Sequence, residues 1–393
     1  MKEINESVKY IGVDDLALDL FEGQYEVPDG MAYNSYLISD EKIAVMDTAD
    51  AAVADEWEGK LLEALAGREP DYLVAHHVEP DHAGAIVWAL GRFPGMKLVA
   101  GANAVKYLGQ FAEGVDFASR SIIVKEGDTL PLGEHTLRFI GAPLVHWPEV
   151  MVSFEEKDGI LFSADAFGKF GALSTLGYFG EEDEDWACEA RRYYFNICGK
   201  YGTPVQNLLK KVRELPVRTI CPLHGPILRK DLEQYIRLYD IWSSYGVETE
   251  GVFVAYASMH GGTAEAALAL AEILKEKGCP KVATSDICRD DMAEAVEDAF
   301  RYGKIVLASP TYDGGLFTPM HTFIHTLQAK GYQKRRVGLI ENGTWAPAAA
   351  KVMKGMLAEM KEIETVEPAV TLRSRMHSAD RAALEALADA MLA

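Results

Sequence analysis

Apolar positions along the chain fall into two regimes. Through residue 165, short hydrophobic runs are separated by polar turns, which is the spacing of β-strands: 11–20, 33–38, 42–47, 96–100, 122–140 with a break at 128–133, 151–154 and 159–163. Ser39-Asp40-Glu41 joins the second and third runs as a hairpin. Helices are expected over 61–66, from 83 to 90 and over 102–111. This mixture of hairpins and strand–helix units predicts sheets sandwiched between helices. Around residues 246–251 the pattern changes. Runs at 252–256, 281–284, 304–308 and 336–340 alternate with helical segments at 264–277, 292–302, 320–330 and 348–360, and 382–392 reads as a closing helix. Such alternation predicts a parallel, doubly wound sheet. The expected fold class is α/β in two domains, 1–249 and 250–393.

Composition fits two or three folded domains: 393 residues, 49% hydrophobic and 25% charged. The net charge of -21 argues against nucleic acid or an anionic membrane as partner, since both are polyanions, and suits a small cationic donor protein or simple solubility. The N-terminal Met1-Lys2-Glu3-Ile4-Asn5-Glu6 has no apolar segment after a basic one, and no run approaches membrane length, so a cytoplasmic location is expected. Cys188, Cys198, Cys221, Cys279 and Cys288 are scattered and form no C-x-x-C pair. That speaks against a disulfide framework and against a built-in zinc ribbon, rubredoxin or iron–sulfur module.

Candidate chemistry is densest at His77-Val78-Glu79-Pro80-Asp81-His82, where four side chains able to bind a metal fall within six residues. The stretch lies between a buried strand ending at Ala75 and an apolar-faced helix, hence on a loop held by rigid elements. A plainer reading makes Asp81 a helix cap and the histidines surface residues. His146, Asp165 and His224 each stand just past an apolar run. Singly, such residues are ordinary turn formers or hydrogen-bonded structural groups. With the first stretch they supply four histidines and three carboxylates, enough for two metal sites with Asp165 shared as a bridge.

Three loops at the carboxyl ends of strands in the second domain also carry suitable chemistry. Ser258-Met259-His260-Gly261-Gly262-Thr263 offers hydroxyls, permissive glycines and free N–H groups at a helix N-terminus, which is a phosphate cradle. It matches neither G-x-x-x-x-G-K-[ST] nor G-x-G-x-x-G, which argues against nucleoside triphosphates and the usual dinucleotide fingerprint. Ser309-Pro310-Thr311-Tyr312-Asp313-Gly314 and Asn342-Gly343-Thr344-Trp345 each bring an aromatic able to stack on a flat ring. The expected ligand is flavin mononucleotide (FMN); the bland alternative is tight turns with locally packed aromatics.

The first pattern resembles the metallo-β-lactamase fold, an αββα sandwich in which a H-x-H-x-D-H loop, a later His, a bridging Asp and a final His bind two metals. Here Glu79 stands in place of the second histidine. Added oxygen favours iron or manganese more than an all-nitrogen pocket does. Followed by a flavodoxin-like domain, the whole chain resembles the flavodiiron proteins. The resemblance implies one iron on His77, Glu79 and His146, a second on Asp81, His82 and His224, and Asp165 bridging. It further implies reduction of dioxygen to water or of nitric oxide to nitrous oxide, and a head-to-tail homodimer or dimer of dimers. Electrons would come from a separate donor protein such as a rubredoxin or its reductase. Ser258 replaces a common threonine, and Tyr312-Asp313-Gly314 a run that usually contains asparagine, so exact flavin contacts stay open. Tyr193 and Tyr194 are candidates for a hydrogen bond to the bound gas, or are core; His76 is a residue behind the ligands or simply exposed. Two other readings stand beside this one: a metal-dependent hydrolase fused to a flavodoxin, and an electron-carrying or gas-sensing flavoprotein.

Overall fold

The computed structural model describes residues 2–393, which divide into two compact units, residues 2–194 with Thr203–Asp240 and Phe195–Gly202 with Ile241–Ala393. In the first unit a seven-stranded sheet runs in the order Lys2–Glu3, Val8–Tyr10, Tyr36–Ser39, Ile43–Met46, Tyr72–Val74, Lys97–Ala100, Ser121–Ile123. A five-stranded sheet runs Thr129–Pro131, Thr136–Gly141, Met151–Glu155, Ile160–Phe162, Thr219–Cys221. Register explains how the two sheets share a core. Tyr10, Tyr36, Met46, Val74 and Val99 are successive partners across five strands of one sheet. Phe139, Ser153, Phe162 and Cys221 are successive partners across four strands of the other. All of these except Ser153 belong to one buried hydrophobic cluster, so the inward faces meet as a sandwich.

Several expected elements are divided by close packing. The run at 11–20 splits into Val13–Asp15 and Leu20–Phe21, and Gly12 comes so near the chain that a Cβ would lie 2.6 Å from Tyr33 O. The run at 122–140 becomes three strands, separated where Gly127 (φ +84°) and Gly133 (φ +136°) take conformations that L side chains rarely adopt. The helix expected at 83–90 is two pieces, Pro80–Ala83 and Ile86–Arg92; between them Gly84 presses on another chain segment, its missing Cβ only 2.4 Å from Ala51 N. Ala54–Leu65 begins earlier than expected, with Asp55 and Glu56 in a first turn that favours negative charge.

In the second unit the order is Val282–Asp286, Thr249–Tyr256, Tyr302–Tyr312, Arg335–Asn342, and then a broken edge of Ile363–Thr365 and Val370–Leu372, all parallel. Val252, Val254, Val306 and Ile340 pack against Leu270 and Leu274 of the helix Gly262–Glu276 and Leu384 and Leu387 of the helix Arg381–Leu392. The strand order reverses between Thr249–Tyr256 and Tyr302–Tyr312, which opens a crevice between the loops that follow them. Among the described residues no helix is long and apolar enough to cross a membrane.

Candidate functional site

All seven residues singled out as metal ligands follow strand ends and are brought together. His77, Glu79 and His146 form one trio and Asp81, His82 and His224 another, with ligand atoms in each within 4.8 Å of one another. In the first, Glu79 Oε2 lies 3.1 Å from both His77 Nε2 and His146 Nε2. In the second, Asp81 Oδ2 lies 3.3 Å from both His82 Nε2 and His224 Nε2. Asp165 stands between them. Its Oδ2 is 3.4 Å from His77 Nε2 and from His146 Nε2, while its Oδ1 is 3.3 Å from His82 Nε2 and 3.8 Å from His224 Nε2. Metal–ligand bonds of about 2.1 Å at tetrahedral or octahedral angles put neighbouring ligand atoms about 3.0–3.4 Å apart, which is this spacing.

The donor set is also chemically unspent. Asp81 Oδ1 and both oxygens of Asp165 are buried without a hydrogen-bond partner, a condition that costs on the order of 1–3 kcal/mol per group unless something else satisfies it. Electrostatics point the same way. Burial alone would push the Asp165 carboxyl up, but His77, His82 and His146 hold it well below the ordinary range. Burial likewise opposes ionisation of Glu79, yet hydrogen bonds from His146 and His77 bring it down to about 2. Conversely, burial would lower His77, and the charge of Asp165 with bonds to Glu149 and Glu79 raises it well above an ordinary imidazole. The cluster is built to hold positive charge.

Residues behind the ligands, which composition and spacing do not announce, set their orientation. His77 Nδ1 meets Glu149 Oε1 at 2.7 Å, and His224 Nδ1 donates to Ala32 O at 2.8 Å. With Nδ1 engaged in this way, Nε2 is the nitrogen of each ring that faces the cluster and that a metal would take in place of a proton. His76 is buried, not exposed: its Nδ1 is 2.6 Å from Asp47 Oδ2 and its Nε2 2.7 Å from Ser153 Oγ. The polar member of the second sheet's core row is thereby tied to a strand end of the first sheet. Tyr193 and Tyr194 are both buried on the helix Trp186–Ile197, but they separate: Tyr193 lies 5.6 Å from the His224 ring, and Tyr194 packs on Tyr239 at 5.1 Å. Phe21, Tyr33 and Trp147 complete an aromatic jacket on His224 and His77.

In the second unit a cavity of about 750 Å³ opens at the sheet crevice. Ser258, Met259, His260, Gly262 and Thr263 line it from the first loop, Pro310, Thr311, Tyr312, Asp313 and Gly314 from the second, and Asn342, Gly343, Thr344 and Trp345 from the third. Two named residues do not line it. Ser309 is buried within the strand Tyr302–Tyr312 with its hydroxyl on Pro310 O, and Gly261 shapes the loop from behind at φ +86°. Ser258 Oγ accepts from Gly261 N and Ala264 N, leaving the other N–H groups of the helix start for a ligand. A fourth wall escaped the sequence reading: Ser374 and Arg375. They follow Val370–Leu372, the half of the edge strand that comes after Pro368, which cannot donate to a ladder. The cavity has the volume and the flat aromatic walls for a flavin, and its hydroxyl-lined helix start suits a phosphate.

Residues 31–225 match the family model described as ODP family beta lactamase, and residues 253–388 match one described as a flavodoxin domain. A nitric oxide reductase of Moorella thermoacetica is 30% identical over 94% of this chain and 92% of its own length. A coenzyme F420H2 oxidase of Methanothermobacter marburgensis is 35% identical over 79% of this chain and 78% of its own. The rubredoxin oxygen:oxidoreductase of Desulfovibrio gigas superposes with a TM-score of 0.91 at 26% identity, covering 99% of this chain and 97% of that one. The chain belongs to the flavodiiron protein family of oxidoreductases, whose members join a metallo-β-lactamase-like domain to a flavodoxin-like one. The family's cofactors are a non-haem diiron centre and FMN.

Proposed function

We propose that this chain reduces dioxygen to water, nitric oxide to nitrous oxide, or both, with two irons on the seven clustered ligands and FMN in the cavity of the second unit. His77, Glu79 and His146 would hold one iron, Asp81, His82 and His224 the other, and Asp165 both. One observation carries the reading: each oxygen of Asp165 faces one complete trio and makes no hydrogen bond of its own. Glu79 supports iron over zinc, because it adds a hard oxygen where an imidazole would favour the hydrolytic metal. Two ferrous ions and a reduced flavin together supply four electrons, the number that turns dioxygen into two waters.

The chain's own part is positioning and exclusion. Glu149 and Ala32 O orient His77 and His224, while the jacket of Phe21, Tyr33 and Trp147 keeps bulk water from the reacting face. Tyr193, beside His224, is the tyrosine assigned to hydrogen-bond the gas; Tyr194 is core. The donor is a separate redox protein such as a rubredoxin or its reductase, or reduced coenzyme F420 as in the name of one relative. A head-to-tail homodimer or a dimer of dimers would bring the FMN of one chain to the metals of another. The test is anaerobic purification, determination of iron, zinc and flavin per chain, and mixing of the reduced protein with each gas while flavin oxidation is followed. Two irons, one flavin and rapid reoxidation are expected; zinc with a flavin inert to both gases would overturn the proposal.

A further inference from the structure

We propose that Arg375 is the countercharge for the flavin's phosphate and makes the cavity selective for phosphorylated flavin, an inference that rests on reading the cavity as the FMN site. Between Ser258 and Thr263 the loop contains no lysine or arginine, only hydroxyls, His260 and backbone N–H groups. A phosphate brings about -1.5 to -2 charges at neutral pH to a chain already at -21. Arg375 enters the same cavity from the fourth wall. Its main chain is fixed there. Ser374 N donates to Asn342 Oδ1 and Asn342 Nδ2 donates to Ser374 O, both at 2.9 Å. Ser374 O would stand 2.1 Å and Arg375 Cα 3.5 Å from a Cβ on Gly262, the first residue of the helix whose free N–H groups face the cavity. Gly262 is therefore required for the arginine to come this close.

The guanidinium is meanwhile parked on a weak partner. Arg375 Nη2 lies 3.2 Å from Glu265 Oε2, in the first turn of the same helix, with side chains 76% and 43% exposed. Exposed pairs of this kind contribute little, and a phosphate at the helix start offers the same group a bidentate, doubly charged acceptor. Ligand binding would thus exchange one ion pair for a stronger one.

The test is titration of flavin-free full-length protein with FMN and with riboflavin, followed by quenching of flavin fluorescence, at low and high salt. Arg375→Ala is expected to weaken FMN by roughly 10- to 100-fold and leave riboflavin unchanged, and to flatten the salt dependence of FMN binding. Arg375→Lys should fall between. Glu265→Gln, which frees the guanidinium, should tighten FMN, and Arg381→Ala, an exposed arginine paired with Glu276 and Glu385 away from the cavity, should do neither. Equal weakening of FMN and riboflavin by Arg375→Ala, or no weakening of FMN, would overturn the assignment. A wild-type protein that binds neither flavin would instead bring down the FMN reading on which it rests.

Discussion

His77, His82, Asp165 and His224 are exposed by 1% or less, whereas the cavity of the second unit presents Trp345 at 81%, Tyr312 at 46% and Met259 at 40%. The metal cluster is a largely buried cage, open only at Glu79, Asp81 and His146, whose side chains are 20%, 12% and 11% exposed; Glu149 and Ala32 O orient its imidazoles directly, and Asp47 and Ser153 fix the adjoining His76. Its unmet demand is charge. The cavity is an open cradle of loops whose unmet demand is apolar cover and, at one end, a countercharge. Removing the ligand therefore leaves two different liabilities: buried carboxylate oxygens without partners in one unit, wetted aromatic surface in the other.

The sharpest way to break this contrast is Asp165→Ala. It should remove both metals together and abolish gas-driven flavin oxidation while flavin content stays at the wild-type level, as metal analysis and stopped-flow absorbance would show. Loss of only one metal would mean that the two trios are independent. Glu149→Leu should come next. Without its acceptor His77 is free to turn, and metal affinity should drop by roughly 10- to 100-fold in a chelator competition; Glu149→Gln, which keeps an acceptor oxygen, should recover most of it. Trp345→Ala should leave the metals untouched and cost FMN about 0.5–1.5 kcal/mol of binding, a change that calorimetric titration would resolve.

The smallest effect tests whether every His–carboxylate pair here awaits a metal. At the turns Asp40 and His135, Asp40 Oδ2 accepts from His135 N at 2.8 Å and meets His135 Nδ1 at 2.7 Å. Burial would raise Asp40, but those bonds and one from Glu41 N bring it down to about 2 from an ordinary 3.8. A carboxyl lowered by folding stabilises fully above its unfolded value and loses that contribution as pH falls towards the folded one. Thermal unfolding of the wild type should accordingly show an acid-dependent loss between about pH 4 and 2 that Asp40→Asn lacks, with metal content identical in the two proteins at neutral pH.

What the sequence disclosed follows the same divide. The clustering of the seven candidate ligands was legible because their types are rare together and each follows an apolar strand. Glu149, Asp47 and Ser153 were not, because each is a common residue whose role exists only once two sheets face each other. In the second unit the alternation of strands and helices disclosed three of the four cavity walls. The fourth, Ser374 and Arg375, was hidden because the edge strand is split around Pro368 into two short pieces that lack a readable apolar period. The helix Leu232–Ser243 is absent from the expected elements, although Tyr235, Ile236, Tyr239 and Trp242 recur at helical spacing and are buried.

The exposure of Trp345, Tyr312 and Met259 bears on how the protein is made as well as how it works. A chain synthesised faster than flavin is supplied would carry a sticky aromatic rim, the kind of surface that drives self-association. Recovery of soluble protein from an expressing culture should then be limited by the vitamin, with riboflavin feeding raising the yield and the unfed culture enriched in aggregated, colourless chains.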